Sequence, residues 1–245
     1  MLSYYNVGKV TIMKKSVLVF LSVLLLLVAV PVSAFELTGD IWLLSDDQEQ
    51  ETNKTPLSYH GELTLLGLGP VRAIVGADYN GKDTDFIHFF NLLFGKVKPE
   101  SFSEYGNAFH LIGGVNGRIR VDWPLFNGLS VVGSMGHRYA GSTYKSAGLT
   151  DYQVTSSLYG GTIYAAGLSL ELMRGLVLSS IYEIGPSFSG VHETTGEGTW
   201  KSWDVGVQYR IPFFSVKAGY RDQHLQADVD SFSLSGVYFG AGIHF

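Results

Sequence analysis

The sequence predicts an all-β fold, a ten-stranded antiparallel up-and-down transmembrane β-barrel with short turns at one end and long loops at the other. Three observations predict it. After Ala34 the chain alternates apolar and polar residues with period two. The connections between the alternating segments are short and long in strict succession. One side-chain parity carries the strand charges and the other carries none, as a lipid-facing wall requires.

Composition frames these observations. The chain has 245 residues, 46% hydrophobic, with 30 glycines, no cysteine and a formal charge of -5. Charged residues are 16% of the total, below the usual level of about 25%. Disorder is excluded, because a disordered chain is poor in apolar residues and rich in charge. Disulfide scaffolds and thiolate zinc sites are excluded by the missing cysteine. The acidic balance argues against a nucleic-acid partner.

Residues 1–34 are read as a signal peptide. Lys14 and Lys15 precede an uncharged run rich in Leu and Val, closed by Pro31 and the small-residue ending Val32-Ser33-Ala34. The first twelve residues add nothing such a segment needs, so Met13 is a second candidate start. The barrel domain is then 35–245. Without Lys9, Lys14 and Lys15 the 17 basic residues fall to 14 against 22 acids, a net charge of -8.

The strands are expected at 35–45, 57–68, 71–79, 109–123, 129–140, 159–172, 176–186, 202–211, 214–221 and 232–245. The clearest is 202–211, where Trp203, Val205, Val207, Tyr209 and Ile211 alternate with Asp204, Gly206, Gln208 and Arg210. Short turns fall at Gly69-Pro70, at 124–128, at 173–175 and at Pro212-Phe213. Long loops fall at 46–56, 80–108, 141–158, 187–201 and 222–231, and they carry fourteen acids against six bases. An even number of strands with short turns at one end and long loops at the other is the layout of bacterial outer-membrane barrels.

Fifteen charged residues share the lumen parity. The acids are Glu36, Asp40, Glu62, Asp78, Asp122, Glu171, Glu183 and Asp204; the bases are Arg72, Arg118, Arg120, Arg138, Arg210, Lys217 and Arg221. Charges so nearly balanced are expected to pair across the interior, because an unpaired buried charge is costly. Arg118, Arg120 and Asp122 are expected to face Glu62, Glu171 and Asp204 as a plug. Trp123 and Phe126 at a short turn, with Trp42, Tyr139, Trp200 and Trp203 toward the loop ends, are expected to form interfacial aromatic belts.

The last strand places Val237, Phe239, Ala241 and Ile243 on one parity and ends on Phe245. In this it resembles the small bacterial outer-membrane β-barrel proteins, of the opacity-type and OmpA-like class. The resemblance implies residence in the bacterial cell outer membrane, amid its lipid and with periplasmic turns. It also implies a terminal strand, with Phe239, Ile243 and Phe245, that the barrel assembly machinery reads. A structural or surface-interaction role follows, with a closed or narrow lumen; a narrow porin-like channel is the first alternative.

The second alternative is enzymatic. Asp83-Thr84-Asp85 and Asp222-Gln223-His224 resemble the paired motifs of omptins, ten-stranded outer-membrane proteases, and would make Asp83, Asp85, Asp222 and His224 the water-activating groups. The chain departs from that pattern, since its Asp-x-His lies in the fifth long loop rather than the fourth, and it is much shorter than an omptin. Solvated loop carboxylates are the preferred reading.

No cofactor or resident metal is expected. The first loop, Ser45-Asp46-Asp47-Gln48-Glu49-Gln50-Glu51, could collect divalent cations, and the apolar run Phe86–Phe94 could seal the barrel mouth or meet an extracellular partner. His60, His110 and His244 share the lumen parity on different strands and read as satisfied interior imidazoles.

Overall fold

The computed structural model describes residues 35–44, 57–80, 109–147, 152–228 and 231–245, with the side chains of 109–111, 143–147 and 152–155 outside that description. Ten antiparallel strands close into a barrel in which each pairs with its sequence neighbours and β1 closes on β10. They are β1 (Glu36–Leu44), β2 (Leu57–Leu68), β3 (Val71–Asn80), β4 (Phe109–Phe126), β5 (Leu129–Ala147), β6 (Tyr152–Met173), β7 (Leu176–Gly190), β8 (Glu197–Ile211), β9 (Phe214–Ala227) and β10 (Phe232–His244). The register at the seam runs from Glu36 opposite His244 to Leu44 opposite Gly236. Beyond it the Phe245 N–H donates to the Phe35 carbonyl at 3.0 Å, and the two rings lie 6.3 Å apart. Closure satisfies every edge, which a sheet surrounded by hydrocarbon must do.

Four two-residue turns join the strands at one end: Gly69-Pro70, Asn127-Gly128, Arg174-Gly175 and Pro212-Phe213. Asn127 and Gly128 both have positive φ, 41° and 80°, the pattern of the Asn-Gly hairpin turn whose twist matches its strands. This shortens two of the expected turns. Pro124 does not end β4, because a bulge between Pro124 and Phe126 absorbs it at the strand end.

The loop-side end differs more from expectation. β5 and β6 run for 19 and 22 residues, where about ten tilted residues cross a bilayer. The third loop shrinks from 141–158 to 148–151, the fourth from 187–201 to 191–196, and the fifth from 222–231 to 228–231. Their residues are paired strand instead, with Gly141–Ala147 laddered against Tyr152–Leu158. Segments projecting past the hydrocarbon need no apolar face, so their strands leave no period-two hydropathy signal.

The outer wall is an apolar belt. Leu37, Ile41, Val75, Ile119, Met135, Leu168, Val216, Phe239 and Ile243 all face outward and are exposed. Trp123, Phe126, Phe213 and Phe245 ring the turn-side rim; Tyr139, Tyr182, Trp203 and Tyr220 lie nearer the loops. Trp42 and Trp200, expected among these, do not join them: they share the parity of Asp40 and Asp204 and point into the lumen at 0% and 1% exposure. An arginine at an exposed midwall position tests the belt. Ile119→Arg should lower the stability of the barrel refolded into liposomes by about 2–4 kcal/mol, read by urea titration, and no change would contradict a lipid-facing wall.

Candidate functional site

The lumen has two storeys, set by which residues the inward parity brings to each height. Toward the loops it is filled by rings and branched chains. Trp42, Ile112, Ala140, Tyr159, Ile163, Phe188, Trp200, Leu225, Phe232, Leu234 and Tyr238 form one buried cluster. The Trp200 and Phe232 rings meet edge to face, 6.4 Å between centroids. Glycines make the space: a Cβ at Gly161 or Gly185 would strike the Phe188 ring, and one at Gly206 or Gly219 would strike Tyr238. This plug arises because the inward residues above the charged ones are apolar, as in a soluble core.

Directly beneath it lies a band of buried ion pairs in two clusters. In the first, Asp78 of β3 accepts from Arg138 of β5 and lies 2.5 Å from His60 Nδ1 of β2. Arg118 of β4 reaches Glu62 of β2 on one side and Glu183 of β7, at 3.2 Å, on the other. Glu183 also accepts from the Trp200 indole N–H at 2.8 Å. In the second cluster, Arg221 of β9 donates to Asp204 at 2.7 Å and to Asp40 of β1 at 3.2 Å. Lys217 engages Asp40 at 2.6 Å, and the Tyr238 hydroxyl donates to Asp204 at 2.9 Å. Most of these bonds skip a strand, and the Arg118–Glu183 pair reaches from β4 to β7, so the band ties distant parts of the wall together.

The band is also joined to the plug. The Arg138 guanidinium lies 4.0 Å from the Trp200 ring centre, and that of Arg221 lies 4.7 Å from Tyr238 and 5.6 Å from Trp42. At such distances a desolvated guanidinium is attracted to the ring face. Each of the fifteen charges expected in the lumen lies on its inward face; Arg118 does meet Glu62, while the other expected facings take different partners. Arg120 pairs with Asp122 on its own strand at 2.8 Å. Glu171 accepts from the Gly175 N–H at 3.1 Å, at the turn rather than across the lumen. Asp204 belongs to Arg221 and Tyr238 rather than to the β4 arginines.

Of the omptin-like residues the structure describes two, Asp222 and His224. Asp222 and His224 lie in β9, not in a loop, and their side chains face outward, joined to each other at 2.8 Å. His224 stands ten positions beyond Phe214, a rise of roughly 25 Å in a strand tilted about 40°, which places it at the loop-side edge of the belt. Asp83 and Asp85, the first acidic loop, the run Phe86–Phe94 and residues 1–34 lie outside the described residues. So does the side chain of His110. His60 is held by Asp78, as above, and His244 faces the lumen near the turns. Phe239 and Ile243 face outward, with Phe245 at the turn-side rim.

An outward apolar belt edged by aromatic rings, around an interior of paired charge, is the reverse of a soluble protein's distribution. The chain is an outer-membrane-type β-barrel. No protein-family profile matches it, and no curated protein matches it. Among solved structures it is similar to Ail, the attachment invasion locus protein of Yersinia pestis, at 11% identity over 86% of this chain and 97% of that one, with a TM-score of 0.38. It is also similar to the β domain of the Bordetella autotransporter BrkA, at 11% identity over 87% and 99%, TM-score 0.40. A major outer membrane protein from Thermus thermophilus matches at 14% identity over 87% and 100%, TM-score 0.36.

Proposed function

We propose that the protein is an integral component of the bacterial outer membrane with a closed lumen, serving a structural or surface-interaction role rather than conducting solutes. The observation that carries this reading is the plug: Trp42, Tyr159, Phe188 and Trp200 are buried across the loop-side half of the barrel above an ion-paired band. A ten-stranded wall is only slightly wider than the eight-stranded kind, whose interior side chains fill. The apolar belt supports lipid as its surroundings, and outward Phe239, Ile243 and Phe245 support reading of the last strand by the barrel assembly machinery. The acidic loops are the parts left to meet an extracellular partner or divalent cations.

Planar-bilayer recording tests the reading. The purified protein at neutral pH should show no sustained step current, and a stable, large open state would overturn the closed lumen in favour of a porin-like channel.

A further inference from the structure

The turn-side storey of the lumen is not filled. A cavity of about 360 Å³ runs from the ion-pair band, where Arg138, Glu183 and Arg221 line it, down to the turn side, a size at which small ligands are enclosed. Its walls are unlike. On β5, β6 and β7 the inward positions near the turns present the hydroxyls of Ser130, Ser134, Ser169 and Ser179 among the branched chains of Val132, Val177 and Ile181. Elsewhere around the same space stand the guanidiniums of Arg72, Arg120 and Arg210.

Those three guanidiniums share two carboxylates. Asp122 takes Arg72 at 2.6 Å and Arg120 at 2.8 Å, so both its oxygens are occupied. Glu36 lies 3.9 Å from Arg72 and 3.9 Å from Arg210, too far for a hydrogen bond to either. Glu171, the other rim carboxylate, is engaged by the Gly175 N–H. Arg210 is therefore the least committed base of the lumen: its one ion pair among the described residues is with Glu36 at 3.9 Å, and its side chain is 39% exposed. Higher up, Arg118, Arg138, Lys217 and Arg221 all hold carboxylates in direct contact. A partly desolvated guanidinium without a close partner attracts oxyanions, which its fork can grip bidentately. Serine hydroxyls can both donate to and accept from a hydroxylated body.

We propose that this chamber is a binding site, entered from the turn side, for a small solute carrying a phosphate or carboxylate on a hydroxylated body. Arg210, with Arg120 and Arg72, takes the oxyanion, and Ser169 and Ser179 take the hydroxyls. The entry from the turn side rests on the closed-lumen reading, because a seal toward the loops leaves the turn side as the way in; the oxyanion contacts themselves do not depend on it.

Calorimetric titration of the folded protein in detergent micelles, with glycerol 3-phosphate, glycerate and glycerol as probes, tests it. At least one of the two anions should bind saturably and glycerol should not; which anion wins tells phosphate from carboxylate. Arg210→Gln should weaken that binding about tenfold or more, the loss of a charge-assisted hydrogen bond. Ser179→Phe should do the same by filling the chamber without altering charge, with Ser134→Leu as its replacement if the first fails to give the heat-shifted folded band on gels. Absence of saturable anion binding, equal binding of glycerol, or affinity unchanged by the arginine or by the chamber-filling variant would overturn the site. Recording current on the same preparations separates the two readings. Absent binding without current removes the chamber and leaves the closed lumen standing, whereas saturable binding with sustained current keeps the oxyanion site and removes the seal.

Discussion

Replacing Asp78 with Ala should lower the unfolding free energy of the barrel by about 3–5 kcal/mol, the cost of leaving a buried charge without its partner. Asp78 and Arg138 are 3% and 4% exposed, and His60, the other group on this carboxylate, is 7% exposed. Removing the carboxylate leaves Arg138, buried against the Trp200 ring, without the acceptor it is paired with. Gly114 shows how closely that guanidinium is fitted, since a Cβ there would press on it at 3.1 Å. Asp222→Ala is the matched control. Its pair with His224 lies on the outer surface with side chains 30% and 47% exposed, and exposed pairs contribute about 0–1 kcal/mol. Urea titration of both variants refolded in detergent, followed by tryptophan fluorescence, compares them. Equal midpoint shifts would mean that the interior band is as solvated as the surface and does not hold the wall together.

The contrast between these two carboxylates shows what the sequence could and could not convey. Which face a strand residue occupies is a matter of parity, and parity survives any modest error in strand ends; Glu36, Arg118, Asp204 and Lys217 can therefore be placed inward from alternation alone. Which residue meets which is a matter of register and of side chains reaching past a neighbouring strand. Arg118 joins β2 to β7 and Arg221 joins β9 to β1, and no local pattern encodes such pairs. Trp42 and Trp200 read as interfacial because an aromatic near a strand end suggests a membrane boundary, although their even numbering beside Asp40 and Asp204 already assigns them to the lumen. Asp222 and His224 read as loop residues because β9 loses its apolar face as it leaves the belt, so the last rungs of its ladder look like coil. The chamber is hidden for the opposite reason: serine and glycine at inward positions say nothing until the walls that face them are known.

The seal itself yields the other large effect. Trp200→Ala combined with Phe188→Ala should convert a silent barrel into one that passes steady current in planar bilayers. Both rings are buried within the loop-side storey, at 1% and 0% exposure, and Phe188 occupies the space left by Gly161 and Gly185. Truncating a buried Trp or Phe to Ala costs about 3–5 kcal/mol when the surroundings cannot collapse, and a closed barrel wall collapses less readily than a pair of helices. The void therefore persists and connects to polar groups on both sides: Glu183 loses its indole donor and Arg138 its ring. Water drawn to those freed charges would join the chamber below to the loop side. Trp200→Phe, which keeps a ring but loses the N–H, should stay silent. A double variant that folds, as judged by its heat-shifted band, yet carries no more current than the parent would place the seal in the ion-pair band, and Arg118→Ala would then be the substitution that opens it.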